Sequence, residues 1–247
     1  MAMFEHVYVI TCTSNARRYS WLRIELQRAG IREATVMWDF PTPMKKVVMD
    51  NISHSENLDL HPGTVGCWGM HYRAIKTAHE LGQDNVLFVE DDCRFRRNIA
   101  DVYRGLEQAP GDWGVLMLDN FNPKPFSAYS RPENGWLRLR AAWSTACYMV
   151  RRKALTRLAA LYDDAFSPNS KVPAQNTDHY LCPAHLGGDI PIYGAVPNLA
   201  IQQDCDTTSE WGVKHPYYVK AGIDTSLFSS YDCSVDASIC IAEQSTR

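Results

Sequence analysis

Four apolar residues, Val86-Leu87-Phe88-Val89, run directly into three carboxylates, Glu90-Asp91-Asp92. A short β-branched and aromatic run of this kind reads as a buried strand, apolar on both faces. In open α/β sheets, ligands gather outside the carboxyl ends of such strands. Three adjacent acids at that place repel one another unless a cation or a cationic ligand neutralises them. Carboxylate oxygens suit Mg²⁺ or Mn²⁺, and such ions commonly share their coordination with substrate phosphates. The segment therefore points to a divalent cation gripping a diphosphate, with a solvated acidic turn as the bland alternative. Residues at i and i+2 of an extended strand end point the same way, so Glu90 and Asp92 are expected to converge on one ion. Asp91 then faces elsewhere, toward a ribose or toward the metal, or is a solvated or helix-capping acid.

The chain around this segment is of ordinary globular make-up. Its 247 residues suffice for a sizeable α/β core, with 45% apolar and 21% charged residues. The net charge of −3 provides no global basic field for nucleic acid or an anionic membrane. No stretch reaches the apolar length of a membrane span, and Met1 to His6 lacks the basic start and apolar core of a signal peptide. These features point to a soluble intracellular protein. The eight cysteines are dispersed, without a CxxC pair, and read mostly as apolar filler. Cys182 and His185 lack a partner pair with zinc spacing, and Gln83 stands where a second His would be needed after His79-Glu80.

Alternating strands and helices are predicted to position the acids. Val7 to Thr11 reads as a first strand, and Ser14 or Asn15 as the cap of a helix carrying Leu22, Leu26 and Ala29 on one face. Ala34 to Trp38 reads as a second strand, Asp50 to Gly63 as a loop, and Gly66 to Leu81 as a helix stopped by Gly82. A short helix around Tyr103 and Leu106 precedes a strand from Trp113 to Leu118. Asn122 to Gly135 is expected to be a loop, Trp143 to Val150 a strand, and Arg151 to Leu161 a helix. Beyond Phe166 the prolines at 168, 173, 183, 191 and 197 suggest a loop-built, ligand-facing half rather than regular sheet. From about Ala221 onward the chain is rich in Ser and Asp and reads as a tail.

Gly66-Cys67 with His71, then Gly82, then the strand ending in Glu90-Asp91-Asp92, resembles the central block of glycosyltransferase family 25. That family includes lipopolysaccharide and lipooligosaccharide galactosyltransferases and collagen galactosyltransferase relatives. The first strand with Arg17-Arg18, the strand Trp113 to Leu118, and the run Ala146 to Leu155 are similar to further blocks of the family. So are Thr177-Asp178-His179-Tyr180-Leu181 and Pro197 through Gln203. The sequence departs from the family pattern at Met70, at Asp119-Asn120, and at Thr11-Cys12-Thr13. The resemblance implies a GT-A fold over residues 1–220, Rossmann-like, with a mixed, mostly parallel sheet flanked by helices, and a tail over 221–247. It implies a metal-dependent, inverting hexosyltransferase using Mn²⁺ or Mg²⁺. The donor implied is a UDP-sugar, UDP-galactose first, and the acceptor a saccharide such as a lipopolysaccharide glycan. A cytoplasmic location, with peripheral placement at the inner membrane face, goes with that role.

Such a transfer concentrates charge on the departing diphosphate, which a metal at Glu90 and Asp92 would offset. It also needs a base to deprotonate the acceptor hydroxyl. Asp178 matches a family acid and is the candidate, with Asp204, Asp206 and Glu210 as competitors and His179 as an orienting residue. Arg17 and Arg18 could meet phosphate oxygens or simply solvate a helix start. His71 could hydrogen-bond the nucleotide region or pack in the core, and Gln203 could complete the metal or diphosphate shell. Trp68, Trp143 and Trp211 are candidate sugar platforms, with core packing as the ordinary alternative. Rival readings are a nucleotide-sugar-binding protein without turnover, a metal-dependent phosphoesterase, and transfer onto a modified nucleic-acid base through Arg94, Arg96 and Arg97.

Overall fold

The computed structural model describes residues 4–11, 16–37, 62–120, 132–142, 144–165, 167, 180–202 and 227. The side chains of residues 16, 17 and 62–65 fall outside that description. In chain order the elements are β1 (His6–Ile10), α1 (Ala16–Arg28), β2 (Thr35–Met37), α2 (Pro62–Glu80), β3 (Val86–Glu90), β4 (Cys93–Phe95) and α3 (Ile99–Glu107). They continue with β5 (Val115–Met117), β6 (Trp136–Arg138), β7 (Cys147–Val150), α4 (Arg152–Ala165), α5 (Pro183–Leu186), β8 (Ile192–Ala195) and β9 (Ala200–Gln202).

Seven strands form the central sheet in the order β2-β1-β3-β7-β5-β8-β6, and β4 pairs with β9 in a separate ribbon. β1 is parallel to β2 and β3, β5 is parallel to β8, and β7 runs against both β3 and β5. β6 runs against β8. Five strands therefore share one direction, and only β7 and β6 oppose it. This is the mixed, mostly parallel sheet flanked by helices that the sequence leads one to expect.

Alternation along the strands sorts the core into two layers. Tyr8, Ile10, Val86, Phe88, Tyr148 and Val150 face α2 and α4, where Ala74, Ile75, Ala78, Leu155 and Leu158 meet them. Val7, Val9, Leu87, Val89, Cys147 and Met149 face the opposite layer, built from Leu22, Leu26, Val102 and Leu106 of α1 and α3. Phe88 stacks between Tyr8 and Tyr148, with ring centroids 5.6 and 5.1 Å away. Both faces of β3 are thus covered, which is why its sequence is continuously apolar.

The elements differ from expectation in identifiable ways. α2 begins at Pro62, four residues before Gly66, because proline suits the first helical turn, where its missing N–H is not needed. β4, β6, β8 and β9 were not expected. Pro191 and Pro197 stand just outside β8 rather than within it, so they bracket a strand instead of excluding one. β6 begins directly after Gly135, at the end of the segment expected to be a loop. No described helix is long and apolar enough to cross a membrane.

Candidate active site

The parallel strands deliver their carboxyl ends to one edge of the sheet: Thr11 after β1, Glu90-Asp91-Asp92 at the end of β3, and Asp119-Asn120 just beyond β5. The antiparallel β7 brings its opposite end, Ser144-Thr145-Ala146, to the same edge. The register Ile10 to Glu90 sets Thr11 beside Asp91. The Asp91 amide donates to Ile10 carbonyl oxygen at 3.1 Å, and Thr11 Oγ1 donates to Asp91 Oδ2 at 2.6 Å.

Asp91 and Asp92 are both buried, and both meet Arg18 of α1. Arg18 Nη2 lies 2.7 Å from Asp91 Oδ1 and also donates to Asp92 Oδ2. Gln202, at the end of β9, donates from Nε2 to the same Asp92 oxygen at 3.0 Å. The buried Arg94 of β4 adds a second positive charge near Asp92. Among the described residues, two cations, Arg18 and Arg94, face these acids. Burial, with the neighbouring carboxylates, pushes Asp91 up to about 7 despite the Arg18 contact. Asp92 is raised as well, by burial first and by Glu90, against the pull of Arg18. Its Oδ1 is buried without a hydrogen-bond partner among the described residues. An orphaned, buried carboxylate oxygen beside a second acid suits a hard divalent cation, so the residues fit the metal expected there.

Glu90 turns the other way. Its Oε1 accepts from Thr145 Oγ1, lies 3.1 Å from His71 Nε2, and is 3.9 Å from the thiol of Cys67. His71 is fully buried, and its Nδ1 sits 2.8 Å from the Tyr148 hydroxyl. Burial alone would raise the Glu90 carboxyl, but hydrogen bonds from His71 and Thr145 and the charge of Arg18 hold it below the usual range. The alternation expected for the acids therefore does not sort them. β3 ends at Glu90, which keeps the α2-facing side shared with Val86 and Phe88. Asp91 and Asp92 form a turn, where the two-residue period no longer applies.

A second polar cluster stands beside this one. Asp119 is fully buried, accepting from Ser144 Oγ at 2.9 Å and from Asn198 Nδ2 at 3.1 Å. Ser144 holds a φ of 118°, a backbone region that favours glycine, while its Oγ also accepts from the Ala146 amide. Asp119 and Asn120, noted in the sequence only as departures from a family pattern, thus belong to the same sheet edge.

Of the residues singled out in the sequence, the structure brings Arg18, Glu90, Asp91, Asp92 and His71 to one neighbourhood. As placed, His71 has both ring nitrogens engaged, Nδ1 with Tyr148 and Nε2 with Glu90. Arg17 lies on α1, but its side chain is outside the described residues. Asp178, His179, Gln203, Asp204, Asp206, Glu210, Trp143 and Trp211 also lie outside them. Gln202, the neighbour of the expected Gln203, is the amide found on Asp92. Trp68 is a core residue stacked on Tyr180, which corrects its reading as a sugar platform. Arg94 is buried and Arg96 Nε donates to Asn198 carbonyl oxygen, so Arg94, Arg96 and Arg97 do not make a shared exposed basic groove. Sequence reasoning gave Cys67, Thr145 and Tyr148 no role in the site. The signal available for the first was its four-residue spacing from His71 on a predicted helix.

No protein-family model matches the sequence, and no curated protein sequence matches it. Solved structures give remote likenesses of fold. A glycosyltransferase involved in glycosylation of the major capsid of PBCV-1 aligns with a TM-score of 0.39 and 11% identity, over 88% of this chain and 98% of that one. Mouse xyloside xylosyltransferase 1, in its apo form, aligns with a TM-score of 0.33 and 9% identity, over 67% of this chain and 72% of that one. A protein from STIV aligns with a TM-score of 0.36 and 10% identity, over 85% and 98% of the two chains.

Proposed function

We propose that the chain is a metal-dependent, inverting glycosyltransferase of GT-A type that moves a hexose, galactose by preference, from a UDP-sugar to a saccharide acceptor. A lipopolysaccharide or lipooligosaccharide glycan is the acceptor class in view. The observation that carries this reading is the buried Asp91-Asp92 turn at the carboxyl end of β3, faced by Arg18 and leaving Asp92 Oδ1 without a hydrogen-bond partner among the described residues. A ligand site at the carboxyl ends of parallel strands is where an α/β sheet binds nucleotides.

In this reading Asp92 is the principal holder of Mn²⁺ or Mg²⁺, with Asp91 beside it and Glu90 adding negative charge from the α2 side. When bound, the cation supplies Lewis-acid stabilisation of charge on the leaving diphosphate. Arg18, already at the acids, turns its guanidinium to diphosphate oxygens, which its planar donors match. Thr11 orients Asp91, and Gln202 orients Asp92, so each acid presents a fixed oxygen. Asp178 takes the proton of the acceptor hydroxyl, and Gln203 lies next in the chain to the amide that braces Asp92.

Thermal unfolding with a panel of nucleotide sugars, each with Mn²⁺ and with chelator, tests the reading. Saturation at about a hundred times the dissociation constant adds roughly 2.7 kcal/mol, a readily seen shift. The expected result is a metal-dependent gain with a UDP-hexose. Absence of a gain with every donor, alone and with acceptor glycans present, overturns it.

A further inference from the structure

The ligand atoms of Cys67, His71 and Glu90 all lie within 4.8 Å of one another. Cys67 and His71 stand one helical turn apart on α2, so their side chains share a face. Glu90 reaches them from the end of β3. We propose that these three residues form a site for a borderline transition cation of the Zn²⁺ class, separate from the oxygen-only site at Asp91 and Asp92.

The dimensions support it. Around a tetrahedral zinc with ordinary bond lengths, a nitrogen and an oxygen ligand are about 3.3 Å apart, and a sulfur and an oxygen about 3.6 Å. The observed separations are 3.1 Å from His71 Nε2 to Glu90 Oε1 and 3.9 Å from Cys67 Sγ to the same oxygen. Shifts of a few tenths of an ångström bring these two edges to that tetrahedron, and the third, between Cys67 and His71, lies within 4.8 Å.

The donor set separates the two sites by chemistry. A thiol and an imidazole select zinc-like ions, whereas carboxylates alone suit Mg²⁺ and Mn²⁺. The surroundings are those of a held ligand set. Tyr148 hydroxyl sits 2.8 Å from His71 Nδ1, where it fixes the ring and leaves Nε2 for the cation, and Thr145 donates to Glu90. His71 is fully buried, while Cys67 and Glu90 are only partly so, which leaves an open side for a water as fourth ligand. Binding replaces the thiol proton of Cys67 with the cation, and that proton leaves to solvent.

The full-length chain, stripped with chelator, is titrated with Co²⁺ and then Zn²⁺ while absorption is followed. The expected result is a thiolate-to-cobalt charge-transfer band in the near ultraviolet equivalent to one thiolate-bound cobalt per chain, displaced by stoichiometric Zn²⁺. Cys67→Ser, at a half-buried position, is expected to keep the fold by circular dichroism and to lose the band. Tyr148→Phe leaves all three ligands in place and is expected to weaken Zn²⁺ binding by about 10–100-fold. Asp92→Asn is expected to retain the band. Absence of the band in the parent chain overturns the proposal and leaves an internal hydrogen-bonded cluster only. A band that survives Cys67→Ser, or that is lost in Asp92→Asn instead, overturns it as well.

Discussion

Arg18 Nη2 lies 2.7 Å from Asp91 Oδ1, so α1 lays its cation against the acids at the end of β3. Removing one partner of a buried pair leaves the remaining charges less compensated, at a cost of about 3 kcal/mol or more. Arg18→Met is therefore expected to lower the melting temperature of the metal-free chain by roughly 6–12 °C. Mn²⁺ is expected to recover part of that loss by supplying the missing charge. A metal-free melting temperature equal to that of the parent would show that the pair contributes nothing.

The pH response of the metal-free chain follows from Asp91. Its carboxyl is raised from the ordinary value of 3.8 to about 7, so between these values the folded chain holds a proton that the unfolded chain has released. Stability from this group is then greatest in acid and falls as pH rises toward 7. A tenfold change in proton affinity is about 1.4 kcal/mol, so the effect is on the order of a few kcal/mol. Glu90, held below its usual range, acts in the opposite direction below about pH 4. Chemical denaturation of the parent and of Asp91→Asn from pH 4 to pH 8 isolates the contribution. The difference between the two curves is expected to slope downward for the parent, and parallel curves would refute the assignment.

Asp92→Asn is expected to leave the fold intact and abolish Mn²⁺-dependent donor hydrolysis or transfer. Its Oδ1 is buried without a hydrogen-bond partner among the described residues, and an amide in its place removes the charge on which a cation depends. Turnover equal to the parent's at saturating Mn²⁺ would remove Asp92 from the metal assignment.

Asp178→Asn is expected to keep donor-dependent thermal stabilisation while transfer falls by about 10²–10⁴-fold, the usual contribution of a general base. Equal transfer rates in variant and parent would move the base to another acid.

Gly194→Ala tests the close approach of β8 to the residues after β5. An added Cβ would stand 2.3 Å from Asn120 Nδ2 and 3.1 Å from Leu139 Cδ1. Overpacking of this kind costs about 1–3 kcal/mol, read as a lower midpoint in denaturant without a change of slope. An unchanged midpoint would mean that Asn120 moves aside freely.

Much of this site could be read from the chain because its signals are local. The apolar run of β3 and its three terminal acids are contiguous, β1 is a short apolar run, and α1 and α2 carry helical periodicity. The arrangement of the acids was not legible in the same way. It depends on β3 ending at Glu90, which no residue type announces, and on which neighbours face each carboxylate. Thr145 and Tyr148 meet Glu90 and His71 across more than fifty residues of sequence. Gln202 reaches Asp92 only because β9 pairs with β4, two three-residue strands too short to show a period. β8 was hidden by its flanking prolines, which punctuate the strand without entering it.

β7, the strand that runs against its neighbours, has a consequence for how the sheet edge tolerates change. The residues just before it lie between the ends of β3 and β5, with Thr145 on Glu90 and Ser144 on Asp119. One short peptide thereby acts as a cross-brace between two polar clusters that the chain otherwise builds from distant segments. A single inserted residue at 144–146 would shift both anchorages together. A ligand that displaced Glu90 would likewise be felt at Asp119 through a lever three residues long.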